Sequence, residues 1–225
     1  DELTFYHDIF EEPTENPTDR EKQNHALAPF IPRFFGIEEI KGKKCVVLEN
    51  KIYGLNHPCL VDIKLGKITF TPETPESKKL GHIEKAQRTT SGTLGYRISG
   101  YVIKDVEGNL LQKGTKATAY YEITEKGVED LLKQVLQSKS QELDVKSLNA
   151  IIEFLAKLVN WFENDRGRNF VAASIFIAYD KLNAKLSISF IDFAHVIASH
   201  PDETDENVLF GLRNLLKTFQ SLLPQ

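Results

Sequence analysis

PCLVDIKLG, Pro58 to Gly66, reads as an apolar strand that carries two opposite charges on one face. Side chains alternate across a strand, so Val61, Ile63 and Leu65 face one way and Asp62 and Lys64 the other. Gly66 follows at the strand end. Burying a carboxylate and an ammonium is costly unless something compensates. They could form a mutual ion pair lining the edge of the core. Alternatively they point into a cleft, where Gly66 lets a backbone or a ligand approach closely. The strand alone leaves both readings open.

Upstream, Cys45 to Leu48 reads as a strand entered by the turn Lys41-Gly42-Lys43, and Glu49 to His57 as an irregular connector ending at Pro58. A lobe boundary is placed near Asn50, giving an N-terminal lobe of residues 1–50 and a C-terminal lobe of residues 51–225. Glu2 to Phe10 suits a short helix, and Glu11 to Asp19 a polar loop broken by Pro13 and Pro17. Downstream, Phe70 to Pro75 is a loop and Glu76 to Arg88 a helix. Gly95 to Lys104 and Leu110 to Lys116 are strands joined by the turn Glu107-Gly108-Asn109. Glu125 to Gln137 and Asp144 to Glu163 are helices. In the second, Leu148, Ile151, Ile152, Leu155, Leu158, Val159 and Phe162 recur at helical spacing behind a capping Asp144, a core stripe. Phe170 to Tyr179 and Lys185 to Ile191 are strands around the turn Asp180-Lys181-Leu182-Asn183, and Glu206 to Leu223 is a closing amphipathic helix. This order gives an α+β chain in two lobes.

Two more features bear on chemistry. Asp192, in Ile191-Asp192-Phe193, follows an apolar strand at a hairpin end, where a carboxylate can hold magnesium together with phosphate oxygens; an aspartate there also commonly forms a turn. Ser174, in the partner strand, places a hydroxyl in an apolar run, where an internal hydrogen bond is the ordinary explanation.

Hydrophobic residues make up 41% and charged residues 27% of 225 residues, an ordinary globular balance. No apolar run is long enough for a membrane span, and the acidic start does not resemble a secretory signal. Cys45 and Cys59 both lie in apolar strand-like runs and are expected as buried thiols, in keeping with a reducing, intracellular setting, cytoplasmic or nuclear. The net charge of −4 argues against a general nucleic-acid binder. Yet between residues 64 and 88, Lys64, Lys67, Lys78, Lys79, Lys85 and Arg88 outnumber Glu73, Glu76 and Glu84. A local basic patch in an acidic chain suits a compact anion.

Taken together, the run from Pro58 to Gly66, Ser174-Ile175-Phe176 and Ile191-Asp192-Phe193 resemble, in order, the motifs of the inositol polyphosphate kinase family. The first matches its proline-x-x-x-aspartate-x-lysine-x-glycine signature; the second departs at both leucines of a serine-leucine-leucine strand. Leu48-Glu49-Asn50, Gln87-Arg88-Thr89-Thr90-Ser91, Asp192-Phe193-Ala194-His195 and Phe210-Gly211-Leu212 extend the likeness over nearly the whole chain. The resemblance implies a two-lobe, protein-kinase-like fold with an antiparallel sheet in each lobe and ATP in the cleft. Leu48, Glu49 and Asn50 would contact adenine. Asp62 would contact the nucleotide, through its ribose, and orient the acceptor. Lys64 would bridge the transferring phosphoryl group and the acceptor. Asp192, with Ser174, would hold Mg2+ on the ATP phosphates, and His195 would contact substrate.

Phosphoryl transfer asks mainly for positioning and charge neutralisation, so these roles fit the residue types. An inositol phosphate is crowded with charge, and the segment of about residues 67–91 supplies bases. On a helix Lys78, His82 and Lys85 share one face, with Arg88 near the end and Leu80 and Ile83 opposite. With Lys67 they are expected to line the substrate pocket, and Lys113 matches a further family lysine. Lys79 is expected to be exposed and to touch nothing.

The family's N-terminal lysine for the ATP phosphates would fall upstream of Asp1, before Phe5-Tyr6, which suggests a chain that begins late or an enzyme that lacks that group. The short connection from Gly66 to Gly95, with Leu48-Glu49-Asn50 and the Gln87 to Ser91 run, resembles the hexakisphosphate kinases most, implying formation of a diphosphoinositol phosphate. The alternatives are a promiscuous multikinase acting on inositol trisphosphate and a non-catalytic inositol phosphate sensor. A protein kinase is disfavoured: Asp192-Phe193 is followed by Ala194, and no histidine-arginine-aspartate loop occurs.

Overall fold

The computed structural model describes residues 2–12, 14–115 and 123–224. Pro13, expected to break the chain, and Lys116, expected to end a strand, lie outside the described residues. The chain runs α1 (Glu2–Phe10), α2 (Asp19–Leu27), a 3-10 turn (Ala28–Phe30), β1 (Phe34–Ile40), β2 (Lys43–Leu48), β3 (Cys59–Leu65), α3 (Glu76–Gln87), α4 (Thr90–Leu94), β4 (Tyr96–Lys104), β5 (Leu110–Gly114), α5 (Glu125–Val135), α6 (Val145–Asn164), β6 (Arg168–Phe170), β7 (Ser174–Asp180), β8 (Lys185–Ile191), β9 (Val196–Ala198) and α7 (Glu206–Ser221).

The central sheet has the order β5-β4-β3-β7-β8, antiparallel throughout. β3 is its middle strand, and burial alternates strictly along it, with Cys59, Val61, Ile63 and Leu65 fully buried. A bulge between Asp62 and Ile63 interrupts its register with β4, a device that locally bends and twists a strand. The core behind this sheet is built by α6, whose Leu148, Ile151, Leu155, Leu158 and Phe162 are buried, and by α7. Asp144 caps α6 by accepting from the Ser147 amide at 3.1 Å.

β1 and β2 form a separate antiparallel hairpin. Its turn residues Lys41 and Gly42 both have positive φ, at 51° and 74°, which matches the right-handed twist of the flanking strands. α1 and α2 pack against the later part of the chain. Phe5 meets Phe193 with ring centroids 4.4 Å apart. The Trp161 indole donates to the Gln23 carbonyl at 2.9 Å.

Several expectations need correction. The expected strand from Phe170 to Tyr179 is two strands, split where Ala172 turns left-handed at φ 62°. Cys59 is buried, but Cys45 only partly so; both are free thiols. Leu80 and Ile83, placed opposite Lys78, His82 and Lys85 on α3, are exposed. No helix among the described residues is long and apolar enough to cross a membrane.

Candidate active site

Antiparallel pairing puts Lys64 opposite Ser174, and Ser174 opposite Ile191. The open face of β3 therefore meets the residue just beyond β8, Asp192. Lys64 does not pair with Asp62. Its Nζ donates to Asp192 Oδ2 at 2.6 Å and to the Ala172 carbonyl at 2.6 Å. Ser174 Oγ donates to the same Oδ2 at 3.3 Å. Asp192 stands at φ 71°, a conformation that costs energy for a residue with a Cβ but that aspartate tolerates better than most. Its carboxylate stays half-open to solvent while Lys64 is largely covered. A left-handed backbone and a charge-assisted bond thus meet at one residue.

The neighbouring Phe193 is fixed from α1. Its amide donates to Glu2 Oε1 at 3.3 Å, and the Tyr6 ring lies 5.6 Å from its own. The Tyr6 hydroxyl is pushed well above its ordinary value, by burial first and then by the charges of Glu2 and Asp192.

The connector after β2 borders a cleft of about 690 Å³ lined by Phe35, Glu49, Asn50, Lys51, Lys185 and Ser187 among others. A second hollow of about 300 Å³ places Glu49, Asn50, Lys51 and Ile52 against Phe176 and Ile191. The last residues of the Ser174-Ile175-Phe176 run and the first of Ile191-Asp192-Phe193 thus share an apolar floor beside the charged pair. Leu48 ends β2, packed against the core. The Glu49 side chain is already engaged, accepting from the Arg33 amide at 3.3 Å and from Lys51 Nζ at 3.4 Å. Burial pushes its carboxyl up, but those bonds and charges outweigh it and hold it below the ordinary value. The Glu49 amide donates to the Arg33 carbonyl, and the Asn50 carbonyl and side chain accept from Tyr53 and Ile52.

The connector's far end is anchored by Asp180, fully buried at the end of β7. It accepts from the Asn56 amide at 2.9 Å, the Leu182 amide at 2.9 Å and the Asn183 side chain at 3.0 Å. Burial would raise its carboxyl, but the bonds from Asn56, Asn183 and Leu182 prevail and hold it low. A depressed folded value means a contribution complete above the unfolded carboxylate range, about pH 4, and lost as pH falls through the folded value. Asp180→Ala is therefore expected to cost about 3 kcal/mol at neutral pH by stranding buried donors. In melts from pH 7 to 3 the gap to wild type should narrow only below about pH 4. A gap constant over that range would show that the charge of Asp180 is not what holds the connector.

Of the basic residues, Lys67 and Lys78 are exposed and Lys85 half-buried. Arg88 pairs with Glu84 at 3.1 Å. His82 Nδ1 meets Thr69 Oγ1 at 2.8 Å, and its imidazole is held below its ordinary value by burial first, then by Lys85 and Arg97. Lys79, expected to touch nothing, pairs with Glu76 at 2.7 Å and is largely covered. His195 is exposed, and its carbonyl accepts from the Val171 amide. Lys113 lies on the edge strand β5 opposite Val102, which faces Leu60. Sheet spacing puts it roughly 16 Å from Lys64, so the fold does not bring the two together.

One cation escaped notice in the sequence. Arg97, in register with Lys64 across β3 and β4, is buried and donates to Ser91 Oγ at 2.9 Å. A charged residue between Tyr96 and Ile98 in an apolar strand was the available signal.

A family model described as inositol polyphosphate kinase matches residues 45–220. An inositol polyphosphate multikinase of Schizosaccharomyces pombe is 30% identical over 192 residues, spanning 80% of this chain and 69% of that protein. Human inositol hexakisphosphate kinase 3 is 26% identical, spanning 82% of this chain and 52% of its own length. Among solved structures, inositol phosphate multikinase Ipk2 of S. cerevisiae, in complex with ADP and Mn2+, superposes with a TM-score of 0.78 at 23% identity, covering 99% of this chain and 96% of that one. With the signature strand, the paired lysine and aspartate and the connector cleft in one place, the chain belongs to the inositol polyphosphate kinase family.

Proposed function

We propose that this kinase transfers the terminal phosphoryl group of ATP to a soluble inositol polyphosphate, with inositol hexakisphosphate among its acceptors. The observation that carries this reading is Lys64 Nζ held 2.6 Å from Asp192 Oδ2 beside a cleft bordered by the connector. Residues 1–50 and 51–225 are taken as the two lobes, with the acceptor held by the segment of about residues 67–91.

Adenine is assigned to the hollow between the connector and Phe176 and Ile191. Because the Glu49 amide and carboxylate are already used, its carbonyl and the Lys51 amide are the groups proposed to read the base. Asp62, on the open face of β3, is assigned to the ribose and to orienting the acceptor. The Asp192 carboxylate and the Ser174 hydroxyl supply only oxygen donors, the set a hard divalent cation prefers, and Asp192 is half-open. They would hold Mg2+, which supplies charge neutralisation on the transferring phosphoryl group. Lys64 shields the charge between donor and acceptor as the new oxygen–phosphorus bond forms and the bridging bond to the leaving ADP breaks. His195 and the bases of residues 67–91 are assigned to the remaining phosphates of the acceptor.

The relatives that are multikinases favour a second reading, a promiscuous multikinase acting on inositol trisphosphate and related species in place of the hexakisphosphate. Incubation with ATP, Mg2+ and either acceptor, followed by separation of products by charge, tests both. A more highly charged product from the hexakisphosphate is expected. Product from the trisphosphate alone would replace the first reading by the second. Tight binding of the hexakisphosphate without ATP consumption, with the trisphosphate also unchanged, would leave a sensor.

A further inference from the structure

Gly66 ends β3 at φ 85°, and a Cβ there would collide with the Asn207 side chain. The glycine therefore admits Asn207, from the first turn of α7, against the backbone that follows β3. Asn207 Oδ1 accepts from the Lys67 and Ile68 amides, both at 2.9 Å, and its Nδ2 donates to the Ile68 carbonyl at 2.9 Å. One side chain thus pins the peptide on both sides of Ile68. Three residues on, and so on the same face of the helix, Phe210 lies beneath the Lys67 ammonium, with Nζ 4.5 Å from the ring centroid.

This ring is out of keeping with its helix. Val208, Leu209, Leu212, Leu215 and Phe219 are buried, whereas Phe210 is 38% exposed. The ammonium on it also differs from its neighbours. Lys79 and Arg88 are engaged by Glu76 and Glu84, whereas Lys67 rests on a ring. A π face holds a cation in place without neutralising it. An unsupported lysine would lose its rotamer freedom when it grips a phosphate, and ordering it beforehand removes part of that cost.

We infer that Asn207 and Phe210 are positioning residues which fix Lys67 for a phosphate group of the inositol polyphosphate, so that the last helix takes part in acceptor recognition. The inference rests on the assignment of Lys67 to the acceptor made above.

Titration calorimetry with inositol hexakisphosphate, and separately with ATP and Mg2+, tests it. Lys67→Ala is expected to weaken hexakisphosphate binding about tenfold and Phe210→Leu about three- to fivefold. Phe210→Tyr, which keeps a π face, should recover most of the loss. Phe210→Leu should have no further effect in a Lys67→Ala background, and ATP affinity should not move. If Lys67→Ala binds the hexakisphosphate as wild type does, the assignment of Lys67 fails and the inference with it. If Lys67→Ala weakens binding but Phe210→Leu does not, the assignment survives and the positioning role is overturned. Equal loss of affinity for both ligands in Phe210→Leu would mark a merely structural ring and also overturn it.

Discussion

Asp192→Asn is expected to lower phosphoryl transfer by roughly 10²- to 10³-fold, the range seen when one preorganised charge-stabilising group is removed, while the protein stays folded. Asparagine is nearly isosteric with aspartate and keeps an acceptor oxygen for Lys64 and Ser174, and the side chain is already half-open to water. The loss should therefore fall on chemistry rather than on stability. Lys64→Ala is expected to cost as much, because its ammonium reaches from β3 past β7 to Asp192 at the end of β8. Turnover of ATP with inositol hexakisphosphate, measured beside a thermal melt, separates the two effects. If Asp192→Asn kept a tenth or more of wild-type turnover, Asp192 would not lie at the reacting centre. If both variants lost turnover only by unfolding, the pair would be a structural bond.

The second large effect is expected on stability. Gly211, on α7, lies against the Gly95 carbonyl, and a Cβ at Gly211 would collide with that oxygen. Gly95 itself caps α4 at φ 72°, and its carbonyl accepts from the Gly66 amide at 2.7 Å. Both atoms are backbone, so neither can swing aside, and overpacking of this kind costs about 3 kcal/mol. Gly211→Ala should lower the melting temperature by roughly 6–12 °C for a domain of this size. Gly81, inside α3, has open space around it and no positive φ. There alanine should gain up to about 1 kcal/mol of helix propensity. An unchanged melting temperature in Gly211→Ala would mean that α7 does not seat on Gly95 as described.

The parts of the fold that were readable from sequence are those where burial imposes a clean period. Cys59–Leu65 alternates strictly because one face is core, and Val145–Asn164 repeats at helical spacing because one stripe is core. Asp19–Leu27 was missed since only Asn24 and Leu27 are buried along it. Its signal was the capping box between Thr18 and Glu21. Phe34–Ile40 was missed because its hairpin has little core to alternate against, leaving Phe35, Ile37 and Ile40 exposed. At the site, the charges on β3 were visible, but their partner was not. Asp62 is the near carboxylate in sequence, while pairing of β3 with β7 and of β7 with β8 delivers Asp192 instead. Asn207 and Phe210 were hidden for the same reason, since only the close approach at Gly66 brings α7 to Lys67.

The bond between Lys64 and Asp192 joins residues 128 positions apart, and this sets a timetable for the newborn chain. At translation speeds of roughly 5–20 residues per second, Lys64 leaves the ribosome some 6–25 s before Asp192. Through that interval β3 lacks β7, and its open edge could recruit a neighbouring chain. The Lys64–Asp192 pair can close only once the last quarter of the sequence is made, and a chain halted before β8 holds Lys64 and the basic segment after it but not Asp192.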